Sequence, residues 1–156
     1  MQGPLIRRGE VGGFALKPEE AVIAIETAKA ALSLAEPGPI ITHRGPRGEV
    51  HYDIPIMYQG FALDRIHYDP WAKAPLPRGM PHPKPQRGEV EVDKDTITAI
   101  FSELRILDAA EFREPERAWA IPVAWKSFLV AYIKVDIGGR EIVPDYPLTE
   151  EVARSV

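Results

Sequence analysis

Apolar positions along this chain change their period three times, and the changes mark its elements. Val22, Ile25 and Leu32 recur at helical spacing behind Pro18, Glu19 and Glu20. Proline suits the first turn of a helix and acidic side chains suit the positive end of its dipole, so a helix is expected up to Glu36-Pro37-Gly38. From Asp53 to Asp69 the alternation is that of strands, with Gln59-Gly60 as a hairpin turn. Helical spacing returns at Ile97, Ile100, Phe101, Leu104 and Leu107, with Asp93 placed to cap. A second alternating stretch turns at Lys126-Ser127. Helix then hairpin, twice, predicts an α+β fold: an antiparallel sheet with two amphipathic helices packed on one side.

Two-residue turns set the pairing. Tyr58 is expected opposite Phe61, Ile56 opposite Leu63 and Ile54 opposite Arg65; in the second hairpin Trp125 opposes Phe128, Val123 opposes Val130 and Ile121 opposes Tyr132. Pro55 and Pro122 donate nothing to a ladder, so their strands should begin there, lie at an edge or bulge.

A shift of 67 residues lays Asp53–Asp69 on Ala120–Asp136 with isoleucine, proline, phenylalanine, isoleucine and aspartate coinciding. Average residue usage supplies about one such identity by chance. The reading is an internal duplication of βαββ units, about 5–69 and 87–143, within one domain of 1–156. Arg8-Gly9-Glu10-Val11 and Arg87-Gly88-Glu89-Val90 precede the two helices and agree with it, although the same tetrapeptide at Arg47–Val50 falls outside the repeat. Between the units, residues 70–86 are proline-rich and read as an extended strap. Gly138-Gly139 reads as a turn and the tail, 144–156, as holding a short capped helix over Pro147–Val152. In architecture alone such a chain resembles the GyrI-like and SOUL ligand-binding folds and, more loosely, the vicinal-oxygen-chelate proteins; no residue motif of these stands in the sequence, so no site is carried over.

Composition narrows the chemistry. The absence of cysteine excludes disulfides, thiol nucleophiles and thiolate-held metals. A formal net charge of -4 argues against a nucleic-acid partner, which calls for a clustered basic surface. No apolar run suits a membrane span or a secretory signal, and a cytoplasmic location is expected. There is no Asn, Gln stands only at 2, 59 and 86, and 16 residues are proline, a pattern expected of a heat-adapted source. Glycine-rich phosphate loops, G-x-S-x-G and H-E-x-x-H are all missing, so nucleotide-dependent transfer and the common hydrolases lack support.

All four histidines lie between 43 and 82, two of them in the tripeptides His51-Tyr52-Asp53 and His67-Tyr68-Asp69. Uninterrupted pairing places His51 and His67 on opposite faces of the hairpin, and leaves His51, Asp53 and Asp64 on one face. That trio is the candidate metal or acid–base site, with His43 or His82 brought in from loops; its plainer reading is a solvated polar face. The candidate ligand or partner site is aromatic: Tyr58 and Phe61, Trp125 and Phe128, and further along Trp119 and Tyr132. Phe61, Phe128 and Tyr132 read most simply as core, whereas Tyr58 and Trp125 flank tight turns and should line an accessible surface. The function favoured is a non-catalytic binding module without cofactor, for a small molecule or as an accessory subunit. A metal-dependent enzyme built on His51, Asp53 and Asp64 is the alternative, and a structural homo-oligomer the third.

Overall fold

The computed structural model describes residues 3–8, 17–80 and 90–155. It is a mixed α+β fold with three helices and two sheets rather than one. The first sheet joins β2 (Glu36–Pro37), β4 (Val50–Tyr58), β5 (Phe61–Asp69) and β6 (Ala74–Pro75) in that order, with β3 (Ile41–Arg44) also on β4. The second joins β1 (Leu5–Arg8), β8 (Ala109–Arg113), β9 (Ala118–Trp125), β10 (Phe128–Asp136) and β11 (Ile142–Val143), with β7 (Leu104–Ile106) also on β9. Every described pair is antiparallel except β1 with β8.

Both expected hairpins form about the expected turns. Gln59, Gly60 and Lys126 take positive φ, as such tight turns require. Beyond the turns the expected register fails, for one physical reason in each hairpin. The ladder skips Leu63 in β5 and Val130 in β10, so each strand carries a bulge. Ile54 therefore faces Ile66 and not Arg65, and Ile121 faces Ile133 and not Tyr132. The slip keeps aliphatic side chains on the core face, where a straight ladder would have turned Arg65 inward.

Neither proline begins its strand; both lie well inside β4 and β9. Pro55 offers its carbonyl to Gly38 N–H at 2.8 Å and Pro122 to Leu107 N–H at 3.0 Å, each where a short outer strand ends. These are local edges, at which a missing N–H leaves no partner wanting.

Helix α1 (Pro18–Ser33) starts at the expected proline, but its buried stripe is Ala21, Ala24, Ile25, Ala28 and Ala31, while Val22 is exposed. Small side chains bring its backbone close to the second sheet, whose strands β7 to β11 it contacts, whereas α2 (Lys94–Glu103) packs on β2 of the first. Each helix thus covers the far hairpin's sheet. Asp93 caps α2 by accepting from Asp95 N–H, and Leu104 already belongs to a strand. One core, containing Ile54, Ile66, Phe112, Trp119, Ile121 and Ile133, spans both sheets. Helix α3 (Tyr146–Arg154), capped by Asp145, buries Leu148 and Val152 against Ile41 and Ala62 in a separate small core.

The strap forms β6 beside β5 and then reaches β10: Leu76 N–H donates to His67 O at 2.7 Å, and Arg78 N–H to Leu129 O at 2.8 Å. The Arg78 guanidinium continues to Val130 O, Arg65 O and Asp64, filling the seam beside the two bulges. Its last residues, 81–86, and the tetrapeptides at 8–11 and 87–90 fall wholly or partly outside the described residues.

Candidate functional site

Two constellations stand out, one apolar and open, the other charged and buried. The first is a cleft of about 470 Å³ beside the turn of the first hairpin. Tyr58, Phe61 and Leu63 come from that hairpin, Ala30 from α1, Ile142 from β11 and Tyr146 from the start of α3. Phe61 and Tyr146 meet edge to face with centroids 6.1 Å apart, yet both remain exposed, at 43% and 59%. Tight turns hold this wall in place, because side chains next to a two-residue loop lack the neighbouring strand that would cover them.

The opposite rim is the turn between β10 and β11, which carries Arg140 and Glu141 into the cleft lining. Asp136 Oδ1 accepts both their backbone N–H groups, at 3.0 and 3.1 Å. Gly139 takes φ +82° there, and an added Cβ would press on the Glu20 carbonyl oxygen and lie 2.9 Å from Ala24 N. Its own carbonyl accepts Thr27 Oγ1–H at 2.6 Å. Only glycine suits so close an approach at that conformation, and the rim is thereby seated directly on α1.

The second constellation surrounds Asp53, the one buried charged side chain among the described residues. His67 Nδ1 lies 2.7 Å from Oδ1 and Arg65 Nη1 2.8 Å from Oδ2. His43 Nε2 stands 3.2 Å from Asp53 and 3.2 Å from Glu151 of α3, and Arg65 Nη2 reaches the same Glu151 at 2.8 Å. Burial works against the Asp53 carboxylate, but hydrogen bonds and charge from His67 and Arg65 outweigh it and hold its pKa below the usual aspartate value. An ionised carboxylate only accepts, so the hydrogen in its bond to His67 sits on Nδ1. Burial likewise opposes the Arg65 charge, and bonds to Asp53 and Glu151 raise its pKa in spite of it.

This cluster corrects the expected geometry of the histidines. The bulge at Leu63 sets His67 directly opposite Asp53, and β3 sets His43 directly opposite His51. His51 and His67 therefore share the face of Asp53 and do not lie on opposite faces. Asp64 leaves the trio: it accepts Tyr132 N–H at 2.8 Å and pairs with Arg78 at 3.0 Å, in the seam toward β10. His51 lies 3.6 Å from Glu49. Among the described residues no three His, Asp or Glu are arranged to hold a metal ion; His82 lies outside them. Arg65 and Glu151 escaped notice because they belong beside Asp53 only after the register slip and the docking of α3. One sign was present. The apolar phase breaks between Leu63 and Ile66, across Asp64-Arg65, and breaks again between Val130 and Ile133.

The aromatic candidates divide. Tyr58 is half-buried in the cleft wall, and Phe61 is exposed there and is not core. Phe128 is also exposed, at 45%, because its turn projects. Trp125 is half-buried, with Lys126 Nζ 4.4 Å from its ring centroid and its own indole N–H buried without a partner among the described residues. Trp119 is wholly buried against Phe112, donating to Ile137 O at 3.0 Å, and offers no surface to a ligand. Tyr132, half-buried, lies under the Arg113 guanidinium at 4.4 Å. No described helix is long and apolar enough to cross a membrane. Comparison with family models, curated proteins and solved structures finds no match.

Proposed function

We propose that this chain is a non-catalytic small-molecule-binding module whose ligand sits in the cleft of Tyr58, Phe61 and Tyr146. The observation that carries it is the convergence of three aromatic rings from three elements on a concave site of about 470 Å³ while two of them stay exposed. Exposed rings grouped on a concave surface favour a ligand over a core role, and the volume is within the range of small-molecule sites.

The same proposal holds that the site arose within a duplicated chain. Supporting this are bulges at Leu63 and Val130, which are 67 residues apart like the aligned sequences, and a shared run of one helix followed by four strands, α1 with β2 to β5 and α2 with β7 to β10. A heat-adapted cytoplasmic protein completes the reading, with a melting midpoint above the ~45–65 °C of ordinary mesophile domains.

The test of the binding site uses 1-anilinonaphthalene-8-sulfonate, whose fluorescence rises in apolar clefts. Saturable binding is expected, lost in the double variant Phe61→Ala/Tyr146→Ala and kept in Phe128→Ala. Unchanged binding in a double variant that still melts cooperatively would sink the proposal.

A further inference from the structure

This inference rests on the cleft being the ligand site, and it names the ligand class. We infer that the cleft takes a zwitterionic α-amino acid with an aromatic or large apolar side chain. Arg140 holds the carboxylate, Glu141 holds the ammonium, and Tyr58, Phe61 and Tyr146 enclose the side chain.

Two opposite charges stand side by side at the rim of the aromatic cleft. Arg140 and Glu141 have no ion pair among the described residues, with each other or with anything else, although both line the cleft. Asp136 fixes both backbone N–H groups, and Gly139 seats the turn on α1.

A rim with one cation and one anion on an anchored backbone selects by sign. An arginine alone would suit any carboxylate or phosphate. The adjacent carboxylate repels such ligands unless they also bring a positive group, and a bare amine meets the converse penalty from Arg140. Only a ligand with both charges close together satisfies both side chains. An α-amino acid carries them on two groups bonded to one carbon, matching consecutive residues of one turn. Below this rim the lining becomes aromatic and aliphatic, which calls for an apolar body that stacks offset or edge to face. The cleft of about 470 Å³ accommodates the largest such side chain, an indole.

Isothermal titration of the full chain with L-tryptophan, tryptamine and indole-3-acetate tests the assignment. Tryptophan is expected to saturate at one per chain, with each analogue about tenfold or more weaker, since a site built for a polar group discriminates against ligands lacking it. Arg140→Ala should weaken tryptophan by a similar factor and bring it level with tryptamine; Glu141→Ala should bring it level with indole-3-acetate. Both side chains are exposed, so these variants are expected to melt like the parent. Equal binding of the three ligands, or no saturable binding of tryptophan, phenylalanine or leucine at millimolar concentration, overturns the inference. Should the naphthalene probe still bind in a Phe61- and Tyr146-dependent way, the amino-acid assignment alone fails. If the probe too is insensitive to those residues, the binding site itself is misplaced.

Discussion

Asp64 Oδ2 accepts the backbone N–H of Tyr132 at 2.8 Å, across the seam where β5 and β10 run side by side without a shared ladder. A side chain thus serves a backbone donor that a strand neighbour would otherwise satisfy. Arg78 from the strap neutralises the same carboxylate at 3.0 Å and donates to carbonyls of both strands. Two sheets that bulge away from continuous pairing are joined by this pair.

Replacing Asp64 with alanine removes a charged acceptor from the Tyr132 amide, a bond worth about 1.5–3 kcal/mol. Amide exchange at Tyr132 is expected to accelerate by about tenfold or more, with smaller changes at the outer strand β8. Hydrogen exchange followed by NMR reads this directly, and a Tyr132 amide as protected as before would contradict the role given to Asp64.

The Asp53 cluster ties α3 to the first sheet through Arg65 and Glu151. Arg65→Met keeps the apolar stem but leaves a buried carboxylate without its guanidinium partner, and breaking such a pair typically costs about 3–5 kcal/mol. Urea unfolding should show a lower midpoint with an unchanged slope. Glu151→Gln, nearer the surface, should cost about 1 kcal/mol.

Acid should act through the same carboxylate. The folded pKa of Asp53 lies below its unfolded value, so its contribution to stability is fully present above about 3.9, the unfolded value, and is lost as pH falls through the folded one. Wild-type melting temperature is expected to drop more steeply below pH 4 than that of Asp53→Asn. Parallel curves for the two proteins would show that other carboxylates govern the acid limb.

Glycine substitutions separate conformation from crowding. Gly48 takes φ +79° in open space, so Gly48→Ala should cost about 1 kcal/mol for the backbone alone. Gly139 at φ +82° also faces α1 backbone, and Gly139→Ala adds overpacking, for a total of about 2–5 kcal/mol. Thermal unfolding of the two variants should rank them in that order.

Local chemistry was legible along the chain. Pro18 with its acidic neighbours, the Asp93 cap, the turns at Gln59-Gly60, Lys126-Ser127 and Gly138-Gly139, and the C-terminal helix all follow from what a few adjacent residues do to φ, ψ and backbone hydrogen bonding. Those effects act within a turn or two of chain, so sequence alone determines them. Tertiary structure decided the rest. Whether β5 continued straight or bulged at Leu63 depended on burying Ile66 rather than Arg65 in a core built from both sheets, and that choice placed His67 beside Asp53. The crossing of α1 to the second sheet, the exposure of Phe61 and Phe128, and the union of Arg65 with Glu151, 86 residues away, were likewise settled by packing between distant segments. Hydrophobic burial is not directional and sums over the whole molecule, so which side chains share a face emerges only when all the elements compete for one interior.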